Sequence, residues 1–304
     1  ERVEPYEVSS PLWSDAAWKH RFVHLPEGEV IGYSPTERWD FPVGAILVKT
    51  FAYPVDARDA SLGERLVETR LLVHEPEGWV PLTYVWNESD AALEVAGADV
   101  PVSWIDEQGD TQSLEYSVPN TNMCKECHGE PSTPVTLGGR TRQLNRNHEY
   151  PTGSENQVDR LARLGWLDQT PAPAADRETL PDPFGNAPIG ERARSYLDAN
   201  CSHCHQAGNA ASSSGVYFDW PSTDSGTPGA SWGLCKTPTS AGGATCGLTY
   251  DIVPKAPEQS ILICRVKSRQ PKVQMPPLAT KLTHGAAVTL LSDWIAGLTD
   301  PACN

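Results

Sequence analysis

The sequence predicts a multidomain chain: an N-terminal antiparallel β sandwich or barrel-like domain over residues 1–118, followed by two mainly α segments, 119–183 and 184–304. Three observations predict it. Apolar, strand-like runs broken by turn residues fill the first 118 residues with no helical period between them. The texture changes at Pro119. Beyond it, helical apolar periods accompany each of two Cys-x-x-Cys-His runs, Cys124–His128 and Cys201–His205. With 304 residues the chain has the length for more than one core.

In the N-terminal part, Asp40-Phe41-Pro42-Val43-Gly44 leads into an apolar strand, Ala45–Phe51. Thr69–Val73 and Trp79–Trp86 flank Glu75-Pro76-Glu77-Gly78, the pattern of a hairpin with a glycine-containing turn. A second hairpin is expected from Val102–Ile105, the turn Asp106–Asp110, and Thr111–Ser117. After the first cysteine run, Glu155–Leu167 places Val158, Leu161, Leu164 and Leu167 on one helical face. Gln169–Pro183, rich in Pro, Ala and Asp, has the composition of a linker. Glu191–Asn200 is expected to be a helix running into the second cysteine run, and Pro257–Lys267 another. Gly285–Leu298 sets Val288, Leu291, Trp294, Ile295 and Leu298 on one face of a last helix. The Ser-, Gly-, Thr- and Pro-rich stretch Asn209–Gly247 is expected to be a long loop.

Cys124-Lys125-Glu126-Cys127-His128 and Cys201-Ser202-His203-Cys204-His205 share one chemical logic. Two thiols three positions apart reach the two vinyl groups of one porphyrin and form thioethers, and the adjacent imidazole is thereby held under the iron. One such run also suits a zinc site or a redox dithiol. Two runs, each followed by His, point to two haem c groups, so both α segments are read as haem-binding, with His128 and His205 as proximal ligands. The chain has only two methionines. Met275, in Gln274-Met275-Pro276-Pro277, is expected as the sixth ligand of the second iron, because a thioether is a soft axial ligand and the prolines stiffen its loop. Arg142 and Arg265 are candidates to pair with haem carboxylates.

Residues 188–298 follow the order helix, Cys-x-x-Cys-His, loop, Met-Pro-Pro, helix, and this order resembles class I cytochrome c. Nearly the whole chain resembles a family of bacterial dihaem c-type cytochromes. The stretches that carry the resemblance are Phe41-Pro42-Val43-Gly44, Glu68-Thr69-Arg70-Leu71-Leu72-Val73, Tyr84-Val85-Trp86-Asn87, Pro119-Asn120-Thr121-Asn122, Arg142-Gln143-Leu144-Asn145, Asn156-Gln157, Tyr250-Asp251-Ile252-Val253-Pro254 and Met275-Pro276. The resemblance implies a β-domain fused to two haem-binding segments and a role in electron transfer, with no substrate or partner attached. Cys246, Cys264 and Cys303 depart from the family pattern.

The sixth ligand of the first iron stays open. His148, in Asn147-His148-Glu149-Tyr150, is the leading candidate as a metal ligand; His74, His24 or an open position are the alternatives. His203 lies inside the second run and His284 just before the last helix. Of eight cysteines, the two runs use four, and Cys235, Cys246, Cys264 and Cys303 remain. An even remainder in a protein that carries haem c suggests two disulfides, expected as Cys235–Cys246 and Cys264–Cys303. No basic-then-apolar leader precedes Glu1, which suggests a chain whose signal peptide has been removed, in the periplasm or outside the cell. A net charge of −15 argues against nucleic acid and anionic membranes, and the longest apolar runs are too short to span a bilayer. The expected partners are redox proteins, with self-assembly possible. The reading is a carrier rather than an enzyme; the alternatives are a subunit of an extracellular multihaem conducting assembly or a dihaem peroxidase-like enzyme.

Overall fold

A computed structural model describes residues 2–128, 135–224, 228–239, 245–278, 280–299 and 303. It divides into two compact units: residues 1–9 with 16–180, and residues 10–15 with 181–304. The stretch expected as the first haem-binding segment thus belongs, up to residue 180, to the same unit as the β-strands.

The first unit is mostly antiparallel sheet. Strands β1 (Val3–Pro5), β2 (Trp18–His24), β3 (Ile46–Pro54), β4 (Glu64–Glu75), β5 (Gly78–Trp86) and β6 (Ala91–Leu93) form one sheet in sequence order, each antiparallel to the next. Strands β7 (Ala98–Ile105) and β8 (Thr111–Val118) form a separate two-stranded ribbon. Both expected hairpins are present. Glu75 pairs with Gly78 around Pro76-Glu77, where proline presets the turn and Gly78 takes a φ of +126° that a side chain would resist. Ile105 pairs with Thr111 around the second turn, and the Asp106 carboxylate accepts from the backbone N–H groups of Gln108 and Asp110. In β7, Val100, Val102 and Trp104 are buried while the residues between them are exposed. That apolar side covers β3: Trp104 lies 4.8 Å from Tyr53, and Tyr116 lies 6.3 Å from Phe51, centroid to centroid.

The remainder of this unit holds helix α1 (Thr121–His128), the short α2 (Thr141–Leu144), a hairpin of β9 (Asn147–Tyr150) and β10 (Gly153–Asn156), and α3 (Gln157–Arg163). The hairpin was not legible in the sequence, and it moves the start of the expected helix from Glu155 to Gln157. Asn156 caps α3, its side-chain oxygen accepting from the N–H groups of Val158 and Asp159. Val158 and Leu161 are buried in a core with Val23, Leu25, Ile31, Trp39 and Phe41, whereas Leu164, expected on the same face, is the exposed C-cap. The expected linker is strapped down rather than loose up to residue 180. Asn145 Nδ2 donates to Ala174 O at 2.9 Å and to Thr179 Oγ1 at 2.7 Å, Arg177 Nη1 donates to Asn156 Oδ1 at 3.2 Å, and Leu180 is buried. Because Asn156 serves both cap and strap, Asn156→Ala is expected to destabilise the protein by about 1–2 kcal/mol, read as a lower urea midpoint at unchanged slope.

In the second unit, α4 (Ile189–Asn200) packs against α6 (Gly285–Ala296), and α5 (Ile261–Lys267) also packs on α6. Leu291, Trp294, Ile295 and Leu298 are buried with Leu197, as the helical period predicts. Of the expected loop 209–247, residues 225–227 and 240–244 lie outside the described residues. The rest supplies Val216, Phe218 and Trp232 to the core and is organised by short 3-10 turns. Residues 10–15 join this unit: the Asp15 carboxylate accepts from the N–H groups of Lys281 and Leu282, and Trp13 stacks on His284 at 3.9 Å.

Two disulfides are present, but the expected pairing is wrong. Cys235 joins Cys303 and Cys246 joins Cys264, with Cα separations of 5.1 and 6.6 Å. Proximity along the chain favoured Cys235–Cys246. The fold instead seats the turn Thr245–Gly247 against α5, next to Cys264. It also ties Cys235 to Ile252 by a backbone hydrogen bond of 2.9 Å, and the Cys303 sulfur lies 3.9 Å from that same Ile252 carbonyl.

Among the described residues no helix is long and apolar enough to cross a membrane.

Candidate functional site

Helix α1 delivers the first run. The Asn120 side chain accepts from the Met123 N–H at 3.0 Å, the N-cap bond that starts the helix directly before Cys124. Helix α1 packs on β5. Burial raises the pKa of the Cys124 thiol, and the charges of Arg70 and Glu68 on β4 also act on it, in opposite directions. His128 closes the helix, with Nδ1 2.8 Å from the Val135 carbonyl oxygen. A carbonyl only accepts, so Nδ1 carries the hydrogen and, in the neutral ring, the lone pair lies on Nε2.

The second run repeats the device in its own unit. Cys201 is the C-cap of α4 and packs against the apolar core, and burial pushes its thiol up to about 12. The N–H groups of Cys204 and His205 both donate to the Cys201 carbonyl, at 3.1 and 2.9 Å, which folds the run into one tight turn. His205 Nδ1 lies 3.2 Å from the Val216 carbonyl, so here too Nε2 is the basic nitrogen. Burial holds this imidazole below its usual pKa, and the charge of Arg265 lowers it further. Such anchoring of one ring nitrogen to a carbonyl is the outer-shell arrangement that orients a metal-bound imidazole. All four cysteines of the runs lie outside the two disulfides.

Met275 is half-buried in the loop between α5 and α6. Its N–H donates to Arg265 O at 3.0 Å, and Arg265 Nε donates to Val273 O at 3.0 Å. One residue therefore ties down the backbone on the N-terminal side of Met275 and lies within electrostatic reach of His205. Arg265 thus belongs to this site, whereas Arg142 donates from Nη1 to the Thr36 carbonyl at 3.1 Å, deep in the first unit.

The histidines offered for the first iron separate by location. His148, on β9, packs edge-on to Tyr150 and has Nδ1 3.7 Å from a Glu7 carboxylate oxygen. His74, on β4, donates from Nδ1 to Phe41 O at 2.7 Å and stacks on Trp79. That is the carbonyl-anchored state of His128 and His205. His24 pairs with Ile46, on the sheet face opposite Val23 and Leu47. A small apolar hollow in the core lies on the latter face, lined by Val23, Leu47, Trp39, Phe41, Tyr150 and Leu161, among others. Gly139 borders it with a φ of +71°, and a Cβ there would meet the Phe41 ring at 2.5 Å. The residues that reading the sequence missed are the basic side chains beside this hollow, because only strand register brings them together.

No family model matches the chain, and neither a curated protein nor a solved structure matches it.

Proposed function

We propose that the chain is a dihaem c-type cytochrome that passes single electrons in the periplasm or outside the cell. One haem would be held on Cys124, Cys127 and His128, the other on Cys201, Cys204, His205 and Met275. The observation that carries this reading is the shared state of the two run histidines. Each has Nδ1 committed to a backbone carbonyl, leaving Nε2 as the basic nitrogen, beside two cysteines that the disulfides leave alone. A redox dithiol uses Cys-x-x-Cys but does not call for a carbonyl-anchored His directly after each pair.

When bound, a haem supplies one-electron iron chemistry whose potential follows its axial ligands and its burial. The chain's residues fix those conditions. The Val135 and Val216 carbonyls orient the imidazoles. Apolar packing around Cys201 keeps the attachment edge of the second site dry. Arg265 holds the Met275 loop. For the sixth ligand of the first iron, the anchored ring of His74 now stands beside His148 as a candidate, and a ligand-field spectrum of each His→Ala variant separates them.

The test is haem stoichiometry. A chain made in an oxidising compartment with haem-attachment machinery should carry two covalent haems by mass, and Cys124→Ala with Cys127→Ala should reduce this to one. A wild-type chain without covalent haem overturns the reading.

A further inference from the structure

The sheet of the first unit carries a row of like charges that no residue in it accounts for. Arg21 on β2 lies directly opposite Lys49 on β3, and Lys49 directly opposite Arg70 on β4. Directly opposed residues share a face, and like charges so placed repel. Lys19 joins the group on the same face, paired with Phe51. Three of these cations converge on one ring: Lys19 Nζ, Lys49 Nζ and Arg70 Cζ lie 5.8, 4.8 and 4.4 Å from the Phe51 centroid. The one carboxylate in the row beside them, Glu68, is fully buried and already engaged. It takes both Arg70 Nε, at 2.9 Å, and Nη2, at 2.5 Å, and accepts from the Tyr116 hydroxyl at 2.6 Å. Among the described residues the Arg21 side chain donates to the Lys19 carbonyl, at 3.4 Å, and Glu7, which acts on it, pairs with Arg146. Among the described residues, half-buried Lys49 has no hydrogen-bond or ion-pair partner. Burial and the charges of Arg21, Lys19 and Arg70 hold its ammonium well below the usual lysine range. In a chain with 24 basic and 39 acidic residues, four cations gathered around one occupied carboxylate mark a site for an anion.

The surroundings narrow the anion. Two residues along the strands, Val23 and Leu47 lie opposite each other and line the apolar hollow, with Tyr6 beside Arg21. On the other side, Arg70 and Glu68 act on Cys124 of α1. A ligand that fits is one that carries carboxylates to this row from the side of Cys124. We propose that the row Arg21–Lys49–Arg70 is a carboxylate-binding site, and that the carboxylates it takes are the propionates of the haem on Cys124 and Cys127. The second half of this rests on the function proposed above.

The experiment is urea unfolding of the haem-loaded full chain, comparing wild type with Lys49→Met, Arg21→Met and Lys49→Arg, the haem content of each verified by mass. Loss of a charge-assisted bond to a carboxylate is expected to weaken the folding equilibrium about 10-fold or more in each Met variant, with Lys49→Arg close to wild type. A Lys49→Met protein that is unchanged or more stable overturns the proposal. Without an anion, removing the middle cation relieves repulsion, so the sign of the change is the readout. A wild-type chain with no haem on Cys124 and Cys127 overturns the functional reading for this unit instead. Adding succinate to that haem-free chain then reads the row alone. A rise in the urea midpoint that Lys49→Met abolishes assigns the row to a free dicarboxylate, and no rise overturns it as a carboxylate site.

Discussion

Met275→Ala is expected, on the dihaem reading proposed above, to remove the weak charge-transfer band at the red edge of the oxidised spectrum and to lower the potential of the haem on Cys201 and Cys204. A thioether favours ferrous over ferric iron, so its loss moves the couple downward within the roughly 0.8 V that axial ligation spans. The haem should stay attached, because Cys201, Cys204 and His205 are untouched and the Cys201 turn is held by its own carbonyl. Fold loss is not expected to confuse the result. Met275 is half-buried, and an alanine keeps both the N–H bond to the Arg265 carbonyl and the Arg265 side-chain bond to the Val273 carbonyl. Arg265→Met makes a useful second variant. It removes the side-chain tie to Val273 and the positive charge near His205, and should weaken the band without abolishing it. A red-edge band that survives in Met275→Ala rules out the thioether as ligand.

What was legible in the sequence is what short-range physics fixes. The hairpins at 75–78 and 106–110 were readable because turn residues and alternation act over a few positions. Helix α6 was readable because Leu291, Trp294 and Ile295 repeat at the helical period. The two cysteine runs are local by construction. Most of the failures are long-range; the β9–β10 hairpin and the early end of α3 are local ones. The disulfide pairing depended on where α5 lies against the turn at 245–247, which no local pattern encodes. The strap at 169–180 looked like a linker because its anchors, Asn145 and Asn156, lie earlier in the chain and announce nothing by composition. Leu164 obeyed the helical period yet ended exposed, because the helix stops at Arg163. The Arg21–Lys49–Arg70 row is the clearest case: the three residues are separated by more than twenty positions each, and only register makes them neighbours. The carbonyl anchors of His128 and His205 were equally hidden, seven and eleven residues downstream in unpatterned chain.

Replacing Cys235 and Cys303 together by serine is expected to destabilise the second unit more than replacing Cys246 and Cys264. The first bridge closes a loop of 68 residues and the second one of 18. On the chain-entropy account these loops correspond to about 4 and about 3 kcal/mol, since the constraint on the unfolded chain grows with the logarithm of loop length. Native contacts push the difference the same way. The long bridge pins Cys303, beyond the end of α6, to the turn at Cys235, whose backbone N–H donates to Ile252 in the core. The short bridge ties the turn at 245–247 to a helix that already packs on α6. Urea unfolding of the two double variants, followed by tryptophan fluorescence with Trp232 and Trp294 both in that core, reads the order directly. Equal midpoints, or a larger loss from the short bridge, would mean that native-state packing and not loop closure sets the stability. Because a haem bound as proposed would also cross-link Cys201 to Cys204, the comparison is made on chains of equal haem content, so that only the disulfide differs.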